Sequence, residues 1–384
     1  MNTDAIIVGS GIIGMTLALT LSKNNKKVVI IEKNLSNNLS AIRTYAISEK
    51  TKIFFEDISI WKNIENINEL NEMHLYYREY NNDSFINFKK KDHQKNIGYI
   101  VQSHSISKNL VENIQKDKNI TIYDNCTVKT INNFTDGIEL STINDELIKA
   151  KYLFSCEGSK SSIKKTLGFE NRYDNYGSKA IVFDIKHEKS NKDTAVQLFL
   201  ESGPVAFLPI TPNKSSMVVS IKNKFIDKQH FNKKNICSYL EEITNNSFGK
   251  IELISNIILF DLIGFDSESY KNGNIIFVGD SAHSVHPLAG MGLNLGISDV
   301  IEINKNIEEN VHQFGSTRFF SNYARKQKII NKKARQQLKL IEKIYSIENS
   351  ATKIFVNIAM KNIQKSNFLK EKIINHANNN ISFF

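Results

Sequence analysis

Two groups of glycines constrain this chain more than any other feature: Gly9, Gly11 and Gly14 near the start, and Gly290 and Gly292 far downstream. Ala5-Ile6-Ile7-Val8 is an apolar run that stops at Gly9, and a segment of helical character, Gly11–Asn24, follows. A buried parallel strand must therefore turn sharply into a helix. The first glycine permits the turn, the second lets the backbone approach an anion with no Cβ in the way, and the third lets helix pack on strand. The free N–H groups at the helix N-terminus then bind the anion. Lys27–Glu32 reads as the next buried strand, and Glu32 sits 18 residues past Gly14, near the spacing of a carboxylate that holds an adenosine ribose. This opening alone leaves FAD, NAD or a glycine turn with no ligand all open.

The later segment decides among them. Asn274–Val278 reads as a buried strand that delivers Gly279-Asp280, and His286-Pro287-Leu288-Ala289-Gly290-Met291-Gly292-Leu293-Asn294 comes next. Asp280 is placed to hydrogen-bond the ribityl hydroxyls of a flavin. Gly290-Met291-Gly292 opens a helix whose free N–H groups would face the N1/C2 carbonyl edge of the isoalloxazine, where negative charge develops on reduction. A helix cap and a turn would need only part of this pattern. FAD is the expected cofactor.

A chain of 384 residues suggests two to three domains, and 41% apolar with 23% charged residues fits an ordinary globular protein. The three cysteines, Cys126, Cys156 and Cys237, show neither CxxC nor metal-like spacing, which argues against a disulfide scaffold or zinc site and fits a reducing compartment. The apolar run Ala5–Leu21 lacks a preceding basic region and a cleavage pattern, so a signal peptide is not expected. No other stretch approaches the roughly 20 apolar residues of a membrane span. Residues 321–384 hold thirteen Lys/Arg against three Asp/Glu and so carry the whole excess of +10. That tail is either a solvated helical face or a surface drawn to anionic lipid headgroups. No nucleic-acid module is visible.

Further along, Thr44–Trp61 reads as helical, Glu72–Tyr80 and Phe85–Lys89 as strands, and Gly98–Gln102 as a strand before a helix at Ser105–Gln115. Ile120–Ile131 and Gly137–Ser141 read as a small antiparallel meander, Lys151–Ser155 as a strand and Tyr176–Ile221 as strand-rich. The rest beyond Val278 reads as helical.

Four segments together carry a resemblance: Gly9–Gly14 with Glu32; Gly98-Tyr99-Ile100-Val101-Gln102; Gly203-Pro204-Val205-Ala206-Phe207-Leu208-Pro209; and His286–Val300. Over about residues 3–325 the chain resembles the class A flavin monooxygenases of the p-hydroxybenzoate hydroxylase fold, and among them the hydroxylases of ubiquinone biosynthesis. The resemblance implies an α/β fold in which a Rossmann-like FAD-binding domain (1–71, 95–175 and 271–320) is interleaved with a β-sheet substrate domain (72–94 and 176–270). A basic helical region, 321–384, follows. It implies that Arg43 lies near flavin and pyrophosphate, that Gln102 contacts the cofactor from the central sheet, and that Val128 offers backbone contacts to adenine. Ile13, Leu293 and Asn294 join the cofactor set with Gly9, Gly11, Gly14, Glu32, Asp280, Gly290 and Gly292. Pro287 stands beside the flavin, and Phe207 and Pro209 would roof the substrate cavity. A packing or turn residue is the alternative at Arg43, Gln102, Val128, Pro287, Phe207 and Pro209.

Two positions in one loop depart from the family. Glu157 replaces the usual aspartate and Lys164 the usual arginine, which loses the planar guanidinium fork. Met291 stands where ubiquinone enzymes often carry a polar residue, but only its backbone N–H enters the dipole argument. His283 and His286 read as structural turn residues, with no serine or carboxylate in view to complete a triad.

The resemblance implies NAD(P)H- and O2-dependent hydroxylation of a prenylated phenol through a C4a-hydroperoxyflavin, in the cytoplasm or peripherally on the inner face of a membrane. A class A flavoenzyme acting on another aromatic is the runner-up. A non-catalytic flavin-binding subunit of a membrane-associated quinone-biosynthesis complex is the rival of another class.

Overall fold

Val28–Ile31 is buried at every residue and Ala5–Val8 likewise, the pattern of strands covered on both faces. The computed structural model, which describes residues 1–36, 43–77, 84–90, 96–169, 171–226, 235–284, 291–346 and 350–379, makes them the centre of a parallel array. Its order is Ile275–Phe277, Leu147–Ser155, Asn2–Val8, Val28–Ile31 and Ile120–Tyr123. Helices Ile12–Lys23, Ser103–Lys116 and Met291–Asn310 contribute to one apolar cluster with this sheet, and a ribbon of Val128–Phe134 and Gly137–Thr142 contributes to a second. Ile120–Tyr123 therefore belongs to the parallel sheet, not to an antiparallel meander, because Val28–Ile31 offers it an apolar edge.

The opening turn needs two of its glycines for steric reasons. Gly9 has φ +103°, and a Cβ there would come within 2.6 Å of the Cys156 carbonyl. A Cβ on Gly14 would collide with the carbonyl of Gly9, so the helix can cross its strand this closely only with glycine.

Thr44–Trp61 is not one helix. Thr44–Ile47 is a strand paired with Gly98–Gln102, which also pairs with Asn68–Leu70 in a separate three-stranded antiparallel sheet. Gln102 thus lies in this small sheet and not in the central one. Ser48 caps the following helix, Glu49–Asp57, by accepting from the Thr51 N–H at 3.3 Å. A partner strand in the right register overrides the local pattern.

A nine-stranded, mostly antiparallel sheet forms the second layer. Its path runs His283–Ser284, Ile258–Ser267, Asn171–His187, Lys214–Lys222, Gly203–Thr211, Thr194–Leu200, Glu72–Tyr77, Ser84–Lys89. One face packs on helix Ile236–Ile243 through Phe183, Phe207, Met217 and Leu240. The other face meets Met291 and Leu295 of helix Met291–Asn310 through Leu75, Phe199 and Leu208. Helices Ser321–Ser346, Ser350–Lys365 and Asn367–Asn379 are the last of the described elements.

Candidate functional site

Ligands of open parallel sheets bind beyond the carboxyl ends of the strands, and the candidate residues gather there. Val8 leads into the Gly9 turn, Ile31 into Glu32, and Phe277 into the short turn Gly279–Ser281 that carries Asp280. The two distant glycine regions meet through Ile13. A Cβ on Gly279 would lie 3.4 Å from the Ile13 side chain, and one on Gly296 only 2.7 Å from Ile13 Cδ1. The Ile13 side chain is thus the wedge that joins the opening helix to the late turn and helix.

Glu32 is held in place for a neighbour at the end of its strand. Its Oε2 accepts from the Ser10 N–H at 2.6 Å and the Ser10 hydroxyl at 2.8 Å, and its Oε1 from the Asn34 N–H at 2.8 Å. The Glu32 carbonyl accepts from the Cys126 N–H at 2.9 Å, which brings Val128, the first residue of its strand, to the same edge.

Arg43 and Asp280, 237 positions apart, are brought within electrostatic reach. The Arg43 N–H donates to Ser103 Oγ at 2.9 Å and its carbonyl accepts from the Ser103 N–H at 2.6 Å, beside Gln102. Burial raises the Tyr45 hydroxyl above the ordinary tyrosine range, while Arg43, which hydrogen-bonds it, opposes the rise. Asp280 is exposed to solvent at the end of its strand. Its surroundings raise the carboxyl pKa, and His283 and Arg43 counteract them.

Helix Met291–Asn310 comes next in the chain. Leu293 is 7% exposed and packs in the main core, so it can offer only backbone to a ligand. The Asn294 side chain is engaged by protein: its Oδ1 accepts from the Ser48 N–H at 3.0 Å and Thr51 Oγ1 at 2.8 Å, and its Nδ2 donates to the Ala46 carbonyl at 2.8 Å. Asn294 bolts this helix to the strand and helix that follow Arg43. Pro287, Gly290 and His286 lie outside the described residues.

His283 has the carboxylate partner that the sequence did not reveal. Its Nε2 is 2.7 Å from Asp299 Oδ2, which also accepts from the Gly279 N–H at 2.8 Å, and both side chains are buried. The pair fixes the turn that presents Asp280. Glu157 caps the helix Ser162–Thr166, accepting from the Ser162 N–H and hydroxyl, the Ile163 N–H, and the Ser161 and Ser155 hydroxyls. Lys164 is buried beside the rings of Phe265 and Phe277, 4.9 and 5.3 Å from their centroids, and burial lowers its pKa to about 8.

Phe207 does not roof a substrate cavity. It is fully buried on the far face of its sheet and stacks on Phe248 with centroids 4.6 Å apart. Pro209 shares that face by strand alternation, and its carbonyl accepts from Asn68 Nδ2 at 2.8 Å. The residue facing the FAD side is Leu208, packed with Met291 and Leu295. Tyr45, Asp299 and Leu208 are the groups missed in the sequence; Leu208 lies in the run Val205–Leu208, which is apolar throughout and so marks neither face.

The residues fit FAD. A Cβ at Gly11 or at Gly292 would meet nothing within 4 Å, so both turns leave their backbone open to a bulky anion and a flavin edge. Glu32 and Asp280 follow the carboxyl ends of two strands of the same sheet, with two strands between them.

Comparison with known proteins agrees. A family described as FAD binding domain matches residues 2–337. Ubiquinone biosynthesis monooxygenase COQ6 of Dictyostelium discoideum is 25% identical, with 80% of this chain and 77% of that protein covered. The 3-demethoxyubiquinol 3-hydroxylase of Escherichia coli is 24% identical, with 78% of each covered. Among solved structures, p-nitrophenol 4-monooxygenase PnpA from Pseudomonas putida superposes with TM-score 0.79 at 14% identity, covering 99% of both chains. The flavin-dependent monooxygenase PieE, solved with FAD and substrate, gives TM-score 0.75 at 11% identity over 99% of this chain and 71% of that one.

Proposed function

The chain belongs to the FAD binding domain family, and from that premise we propose that it is an FAD-dependent monooxygenase that hydroxylates a prenylated phenol in ubiquinone biosynthesis, using NAD(P)H and O2. The relatives named above support the pathway. The observation that supports the reading is the packing of the Ile13 side chain against Gly279 and Gly296, which joins the opening helix to the turn carrying Asp280 and to helix Met291–Asn310, while nothing crowds Gly11 or Gly292.

Each residue then has a task. The N–H groups of the opening helix bind the pyrophosphate, aided by the helix dipole. Glu32, braced by Ser10 and Asn34, accepts from the adenosine ribose. Val128 offers backbone to adenine, and Gln102 and Arg43 line the flavin side. Asp280, held by the His283–Asp299 pair, accepts from the ribityl hydroxyls. The N–H groups of Met291 and Gly292 present the positive end of a long helix to the anionic edge of the flavin. The chemistry FAD supplies when bound is hydride acceptance from NAD(P)H and activation of O2 for transfer to an electron-rich ring. Leu208, Phe199 and Met291 line the apolar side and exclude water. The proposed location is the cytoplasmic face of the membrane holding the substrate; no described helix is long and apolar enough to cross one.

Product analysis in strains lacking each quinone hydroxylation step tests this. The parent protein should restore a hydroxylated prenyl product in one strain, and Asp280→Ala should lower that yield with flavin content. FAD-loaded protein that restores no product in any strain would end the proposal.

A further inference from the structure

Helix Ser350–Lys365 has two distinct faces. Its inner face seats Val356, Asn357, Met360 and Ile363 against strand Ser84–Lys89, with the Ser84 hydroxyl donating to Asn357 Oδ1 at 2.7 Å and the Asn87 N–H to Gln364 Oε1 at 2.8 Å. Its outer face aligns Ile354, Ile358, Lys361 and Lys365, spaced so that they fall on one line of the helix. Phe355 flanks that line and is 70% exposed. The next helix, Asn367–Asn379, turns Ile373 and Ile374 inward and Phe368, Leu369 and Lys372 outward. Phe368 is 63% exposed, with Lys372 Nζ 4.6 Å above its ring.

Five large apolar side chains exposed on two consecutive helices are more than the scattered singles of an ordinary surface. We propose that this face, Ile354, Phe355, Ile358, Phe368 and Leu369 with Lys361, Lys365 and Lys372, inserts shallowly into the interface of an anionic phospholipid bilayer. The charge selects the occupant. Residues 350–379 hold five lysines and one glutamate, so a second copy of the face would set like charge against like, whereas anionic headgroups pair with the lysines while the rings enter the acyl boundary. The position selects it too. Val356, Met360, Ile373 and Ile374 pack against the same apolar cluster as Leu208 and Met291, so these two helices share one core with the apolar side of the proposed site. This rests on the prenylated-substrate reading for its purpose, though not for its test.

The test is cosedimentation of the full FAD-loaded protein with vesicles of phosphatidylcholine, with and without phosphatidylglycerol. The parent should pellet with the anionic vesicles and be released by salt. Phe355→Ser with Phe368→Ser should weaken partitioning by about ten-fold or more. Each of Lys361→Gln and Lys365→Gln should weaken it by about five-fold on anionic vesicles only. Flavin absorbance per chain checks that every variant is folded. Equal pelleting of parent and variants, or indifference to phosphatidylglycerol, overturns the proposal. So does size-exclusion showing that the double phenylalanine variant turns a dimer into a monomer, since the face would then belong to a second copy. Vesicle binding without product would count against the hydroxylase reading alone, and product formation without vesicle binding against this one alone.

Discussion

One oxygen of Asp299 takes two hydrogen bonds, from His283 Nε2 and from the Gly279 N–H, and so sets the turn that carries Asp280. Burial opposes a charge on His283, but the Asp299 carboxylate outweighs it, and the His283 pKa ends above its ordinary 6.5. A histidine that holds its proton more tightly when folded contributes stability that is complete below that ordinary value and is lost as pH rises through the raised one. Urea unfolding of parent and Asp299→Asn between pH 6 and 9 should therefore show a gap that is widest at pH 6, about 2–4 kcal/mol, and narrows with pH. A gap that widens with pH would contradict the assignment. At this scale the sequence was legible where a residue acts through its own backbone: Gly9, Gly11 and Gly14 each sit as their spacing implied. It was not legible where a side chain finds a partner on another element. Asn294 sat inside a recognisable segment, yet its engagement by Ser48, Thr51 and Ala46 depends on how two helices dock.

Strands were easier to find than to orient. In Val205-Ala206-Phe207-Leu208 every residue is apolar, so the period-2 pattern that would separate the two faces is missing. Pairing settles it: Phe207 is opposite Met217 and Val196, all on the face that packs under helix Ile236–Ile243, and Leu208 faces the cleft. Phe207→Ala should cost about 3–5 kcal/mol of stability in chemical denaturation and leave KM for the phenol unchanged. Leu208→Ala should do the reverse, raising KM with a smaller loss of stability. A KM change confined to Phe207→Ala would restore the roof role. The same reasoning covers Thr44–Ile47 and Ile120–Tyr123, where the apolar residues were visible and the partner strand was not.

Across the whole molecule, a strand–turn–helix at the start and another some 270 residues later become one cleft because Ile13 packs against Gly279 and Gly296. The two-layer arrangement could be anticipated from the four segments that carry the family resemblance, since each marks a fixed place in that fold, and the helical tail from the helical character of the chain beyond Val278. The tail itself matched poorly, and its outer face became visible only once strand Ser84–Lys89 was seen to cover the inner one. The central claim is that these turns grip a single FAD, and Gly11 isolates it: a methyl there meets no protein atom within 4 Å, so it should leave the fold alone and obstruct only the ligand. The measurement is equilibrium FAD binding to the apo-protein by flavin fluorescence, with thermal unfolding of the same samples. The account predicts that the parent binds FAD and that Gly11→Ala unfolds at the same temperature without ligand but binds FAD at least about ten-fold more weakly. A parent that does not bind FAD, or a Gly11→Ala that binds it as tightly as the parent, would contradict it.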